Sequence, residues 1–159
     1  MDYIKLAKAL GFADAKIMKT SEICTDDSYR KLCVQNVCGN YDLAYGCPPK
    51  CGTVQKMIEK MNQYENALIL QTKTKYKNIL DREEQVSIQR KQNKLTEVLH
   101  GLMVNDGLDD ILLMSAGPWK RNSCLSAYCI DAQKMAETVG MTCWEEDGYV
   151  RYFTLLLYH

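Results

Sequence analysis

The stretch Tyr29–Thr53, YRKLCVQNVCGNYDLAYGCPPKCGT, limits what this chain can fold into more than any other part of it. It carries Cys33, Cys38, Cys47 and Cys51 in the pattern Cys-x4-Cys-x8-Cys-Pro-Pro-x-Cys. Gly39-Asn40, Gly46 and the pair Pro48-Pro49 disfavour helix and strand alike, since glycine accepts almost any φ and proline has no N–H to give. A loop this long in a compact domain is usually functional or disordered. Its composition marks it as functional, and the apolar core must form elsewhere. Four thiols joined by so pliable a segment can converge on one point. Soft thiolates select zinc, copper(I) or iron–sulfur clusters. Pro48 and Pro49 are expected to hold Cys47 on stiff, extended backbone.

Composition decides how those thiols are read. The chain has 159 residues, of which eight are cysteine, and an even count invites a disulfide framework. The opening Met1-Asp2-Tyr3-Ile4-Lys5 is charged and lacks the apolar centre of a secretory signal. The longest apolar runs, Ile111–Met114 and Leu155–Tyr158, are too short to span a bilayer. A cytoplasmic protein is therefore expected, where clustered cysteines bind metal or do redox chemistry more often than they form staples. Twenty basic and twenty acidic residues cancel, which argues against nucleic acid or a membrane surface as partner. With 47% apolar and 25% charged residues, one domain covering 1–159 is expected, large enough for a core of its own.

Periodicity places the elements. Ile4, Leu6, Ala7 and Leu10 predict a helix over 3–10, closed by Gly11. A weakly alternating strand follows over 12–23. Asp26 or Asp27 caps a helix running into Cys33, and Thr53 caps one bearing Val54, Met57, Ile58 and Met61. Cys51 then sits just ahead of a helix N-terminus, where N–H groups favour a thiolate. A strand is predicted over 67–76. Asp81-Arg-Glu-Glu84 reads as a capping box for the longest helix, which ends near Asp106-Gly107. Ile111–Met114 reads as a buried strand, Ser126–Val139 as a helix, and Asp147-Gly148 as the turn of a hairpin joining 142–146 to 149–158. Strands alternating with helices predict an α/β layered domain. Its sheet is expected to be mostly parallel, of four to five strands, with a C-terminal antiparallel hairpin and helices packed on the sheet.

Outside the loop, Cys24 and Cys143 read as core residues, and Cys129 as packing. Cys124, which forms an x4 pair with Cys129, stays open as a ligand reaching across the sheet. His100 and His159 are not placed for a Cys–His nucleophile, and no phosphate loop, dinucleotide fingerprint or nucleophile elbow is present. Lys73, Lys75, Lys77, Lys120 and Arg121 read as a solvated face, with an acidic partner as the alternative.

The run Arg30-x-x-Cys33-x-x-Asn36-x-Cys38-Gly39-x-Tyr41-x5-Cys47-Pro48-Pro49, with Ser123–Asp131 and Gly140-Met141 downstream, resembles the prokaryotic predicted metal-binding proteins grouped as domain of unknown function 2284. The resemblance implies a cysteine-rich intracellular protein of anaerobes that carries a metal or iron–sulfur cluster. It matches Cys33, Cys38 and Cys47 to the family's first cysteine box, whereas the Cys51 position is not regularly cysteine there. Such proteins also tend to carry a Cys-x-x-Cys-x-x-Cys box ahead of the Ser-Ala-Tyr segment. Here Ala116–Asn122 holds no cysteine.

The leading expectation is thus an iron–sulfur protein, with a four-iron cluster first, of redox or accessory function. Its ligands are Cys33, Cys38 and Cys47, with Cys51 as the fourth and Cys124 as the other candidate. Zinc in a closed four-cysteine module that organises the loop for a partner protein is the alternative. A thiol redox pair, Cys47 with Cys51, is the third reading. A redox or acidic protein is the expected partner.

Overall fold

The computed structural model describes residues 1–159. Four strands, β1 (Asp14–Lys19), β2 (Asn66–Lys75), β3 (Leu112–Met114) and β4 (Tyr149–Tyr158), form one sheet in the order β1-β2-β4-β3. β2 and β4 pair along their whole length, from Asn66–Tyr158 to Lys75–Tyr149. Every neighbouring pair is antiparallel.

This corrects the expected parallel sheet. The strand–helix–strand signal was sound: β2 and β3 are both antiparallel to β4, so they run in the same direction, linked by the helix α4 (Arg82–Asn105). The last strand, however, lies between them, and no parallel pair survives. The expected C-terminal hairpin is also absent, because residues 142–146 form no strand. Asp147 spends its carboxylate on the Tyr149 N–H (3.1 Å) and on Arg151 (2.6 Å), while the Thr142 carbonyl accepts from the Gln71 side chain (2.6 Å).

Side chains alternate across a strand, so each face of the spine needs its own cover. Leu68 and Leu70 of β2, Leu113 of β3 and Leu156 of β4 pack with Ala7, Phe12, Leu99 and Met103, beneath α4 and the helix α1 (Tyr3–Leu10). Ala67, Ile69, Leu155, Leu157 and Met114 face the other way. They pack with Met57 and Met61 of α3 (Val54–Met61), Met135 of α5 (Ala132–Thr138), and Leu125 and Tyr128 of a 3-10 turn, Leu125–Tyr128. Each fully buried leucine contributes roughly 1.5–3 kcal/mol. α4 also turns polar groups inward: Thr96 Oγ1 meets Thr154 Oγ1 at 2.7 Å, and Asn93 holds the Ala116 backbone through N–H···O and O···H–N contacts of 3.0 and 2.9 Å. Buried groups paired this way fix the helix in one register, since each would be costly unpaired.

The caps fall where local chemistry put them. Thr53 accepts from the Lys56 N–H (3.3 Å), and Asp81 from Glu83 and Glu84 (3.0 and 3.2 Å). The box at Asp81 stays open, because the Glu84 carboxylate accepts from Lys77 and Asn78 instead. The single helix expected over 126–139 is broken. Cys129 adopts a left-handed backbone (φ 58°), and Asp131 starts α5 by accepting from the Lys134 N–H (3.0 Å). β1 is shorter than expected, because Thr20–Glu22 turns as a 3-10 helix. No helix is long and apolar enough to cross a membrane.

Candidate metal centre

β3 pairs only Leu155–Leu157 of β4, so the preceding residues of β4 have no strand on that side. A cavity of about 780 Å³ opens there. Arg151, Tyr152 and Phe153 of β4 line it, together with Ser115–Pro118 beyond β3, the first turns of α4 and the cysteine segment.

Four contacts bring the cysteines to this cavity. Thr25 bridges to Ile130, with Asp26 N–H donating to the Cys129 carbonyl (2.7 Å), which lays α2 (Ser28–Val34) beside the 3-10 turn and so places Cys33. Ser115 at the end of β3 bridges to Cys124, and its N–H donates to Ser123 (3.0 Å). Gly46 lies flat on that same segment. A Cβ at Gly46 would collide with the Asn122 carbonyl oxygen and sit 3.1 Å from the Ser123 nitrogen. Only glycine lets the loop approach so closely, and the approach carries Cys47 to Cys124. Finally, the Arg82 guanidinium donates to the Cys38 carbonyl.

Cys33, Cys38, Cys47 and Cys124 therefore line one cavity, as does Cys143 further along its wall. Cys47 is buried, with 6% of its surface exposed, Cys33 and Cys124 are half-buried, and Cys38 is exposed. Cys51 is not among the lining residues. It packs against the core below, and its Sγ lies 3.9 Å from the Arg30 guanidinium. Cys24 is exposed and Cys129 fully buried, and all eight thiols are free. The segment 41–51 is a series of turns rather than extended backbone, and the Pro48–Pro49 bond is cis.

The electrostatics agree with the geometry. Burial pushes the Cys47 thiol up to about 12, and Cys124, Cys38, Cys51 and Cys33, in that order, push the same way. Burial also raises Cys33, against the partial opposition of Arg30, and raises Cys124. All three shifts disfavour the thiolate in the metal-free protein, and a bound metal would offset them by displacing the thiol protons. All the soft donors are sulfur: no aspartate, glutamate, histidine or lysine lines the cavity. No three Cys, His, Asp or Glu side chains converge tightly enough to hold one metal ion.

Arg30 is the residue that reading the cysteines alone overlooks. Its guanidinium donates to the Gly52 carbonyl (2.6 Å), the Ala127 carbonyl (2.9 Å) and the Met57 sulfur (3.0 Å), tying α2, the Cys51 turn, α3 and the 3-10 turn together. Its place three residues before Cys33, at the head of the cysteine motif, was the available signal. Exposed apolar side chains line part of the cavity: Leu32, Val37, Ile79 and Leu80.

Epoxyqueuosine reductase from Bacillus subtilis shares the fold at a TM-score of 0.52 and 13% identity, over 98% of this chain and 44% of that one. A second structure, epoxyqueuosine reductase with an epoxyqueuosine-modified tRNA stem loop, gives 0.51 at 13% identity over the same shares. The chain thus spans less than half the length of these structures, and likeness at this identity concerns the fold alone. No curated protein matches the chain. A family model covers residues 16–158, and by it the chain belongs to the predicted metal-binding proteins, domain of unknown function 2284.

Proposed function

We propose that this protein is an iron–sulfur protein of redox or accessory function, with Cys33, Cys38, Cys47 and Cys124 as the ligands. One observation carries the reading: four thiols from two distant segments line a single cavity, while no three side chains converge on one ion. A cluster held there supplies one-electron chemistry at iron, at a potential set by burial and nearby N–H donors.

The chain's own residues do the rest. Cys47 and Cys124 are brought together by the Gly46 contact, and they form the inner wall. Cys33 and Cys38 close the outer side from α2 and the loop beyond it. Each of the four loses its proton on loading, so loading consumes thiol and releases acid. Cys51 keeps a supporting place beside Arg30 rather than a ligand's place. The family's metal binding and the donor set support this reading, and the neighbours' names support no more than the fold. A cytoplasmic setting and a redox or acidic protein partner belong to the same proposal.

The test is anaerobic reconstitution of the full chain, with iron, sulfide and zinc measured alongside the visible spectrum. Iron and inorganic sulfide in matching amounts, with charge-transfer absorption, are expected. One equivalent of zinc and no such absorption would replace this reading with a structural zinc module.

A further inference from the structure

The cavity is larger than a thiol-lined niche, and α4 and β4 line it with polar side chains. About 780 Å³ lies within the range of small-molecule sites. α4 presents Arg82, Gln85 and Gln89 to it, and β4 presents Tyr152. The Gln89 amide lies so close to Gly117 that a Cβ there would stand 2.8 Å from the Gln89 oxygen. This wall is fixed from behind by the Asn93–Ala116 and Thr96–Thr154 contacts.

Its charge is one-sided. The two arginines, Arg82 and Arg151, are the only charged residues lining the cavity. Arg151 is spent on Asp147 and Glu145, at 2.6 and 3.9 Å. Arg82 has no carboxylate within ion-pairing distance. Its one hydrogen bond, to the Cys38 carbonyl, holds the guanidinium at the junction of α4 and the cysteine loop. A guanidinium has five N–H donors, so most of them remain for a carboxylate, which it grips through two parallel bonds. The aromatic rings of Tyr41 and Tyr152 offer flat apolar contact.

We infer that this cavity binds, beside the thiols, a small organic carboxylate with a flat apolar body, anchored by Arg82. The inference rests on the reading above only in placing a metal at the thiols. The experiment titrates 2-naphthoate, and the uncharged 2-naphthamide, into the full chain by calorimetry, using wild type, Arg82→Met and Arg90→Met. Arg90 lies on the same helix but lines the neighbouring outer groove instead of the cavity. Saturable naphthoate binding is expected, weakened about tenfold or more in Arg82→Met, the loss of a charge-assisted pair, and unchanged in Arg90→Met. Naphthamide should not distinguish wild type from Arg82→Met. Absence of saturable naphthoate binding, equal weakening in Arg90→Met, or equal weakening for the amide overturns the inference. Metal content is measured on the same samples. Loaded protein that ignores naphthoate sinks this inference alone, and Arg82-dependent binding without metal sinks the cluster alone.

Discussion

The sheet and the cysteine segment are built on opposite terms. In β2, Ala67–Gln71 is buried without interruption, and in β4 the same holds for Phe153–Leu157, each run packed on both faces. From Ser28 to Thr53, only Gly46, Cys47 and Pro48 are buried, while Val37, Leu43 and Tyr45 stand 70%, 73% and 63% exposed. The sheet is held by its own apolar contacts. The cysteine segment is held at a few points, by Arg30, by Gly46 against Asn122 and by Arg82, and the remaining constraint falls to whatever joins the thiols. Stability and metal loading should therefore be separable.

The largest effect expected from breaking this contrast lies in the sheet. Leu68 of β2 is fully buried beneath α1 and α4, and Leu68→Ala should cost about 2–5 kcal/mol in urea denaturation, because the cavity it leaves cannot fully collapse. Loading in whatever fraction stays folded should match wild type. Gly46→Ala sits at the boundary between the two regions. Its methyl must push the loop off Asn122, so a loss of about 1–3 kcal/mol is expected together with loss of loading. Full loading in a folded Gly46→Ala protein would show that Cys47 and Cys124 need not be held together. Asp81→Ala removes the cap of α4 and should cost about 1 kcal/mol, read from the same denaturation curves, with little change in loading.

The last expected effect is one of pH. Burial holds the Cys47 thiol neutral in the folded, metal-free protein, at about 12 against an ordinary 9.0. A group raised on folding stabilises below its unfolded value and loses that contribution as pH climbs through the folded one. Metal-free stability should thus fall between about pH 9 and 12, a slope that Cys47→Ser flattens. Metal affinity should move the opposite way and rise with pH, since binding displaces the thiol protons. Equal slopes for wild type and Cys47→Ser would place Cys47 in water rather than in the wall.

Much of the local structure is legible in the chain. Gly11, Thr53 and Asp81 mark real helix ends, and the runs at 67–76 and 111–114 mark real strands, because caps and periodicity act over a few residues. What is not legible depends on distant partners. Nothing near Tyr149 tells that β4 will insert between β2 and β3, so the parallel reading failed at the step that needed global order. Asp131 carried a cap signal, but the apolar residues on either side of it, Ala127–Ile130 and Met135-Ala136, masked it, and the left-handed turn at Cys129 has no cue beyond packing. The same limit governs the site. Cys33, Cys38, Cys47 and Cys51 are neighbours in sequence, while Cys124 reaches the cavity only through the Ser115 bridge.

The sharpest test compares Cys124→Ser with Cys51→Ser, each reconstituted anaerobically as the full chain and assayed for iron and sulfide per protein. The geometry predicts loss of stoichiometric loading in Cys124→Ser, as in Cys47→Ser and Cys33→Ser, and wild-type loading in Cys51→Ser. Loading that survives Cys124→Ser but disappears in Cys51→Ser would contradict the account and return the centre to the cysteine loop alone.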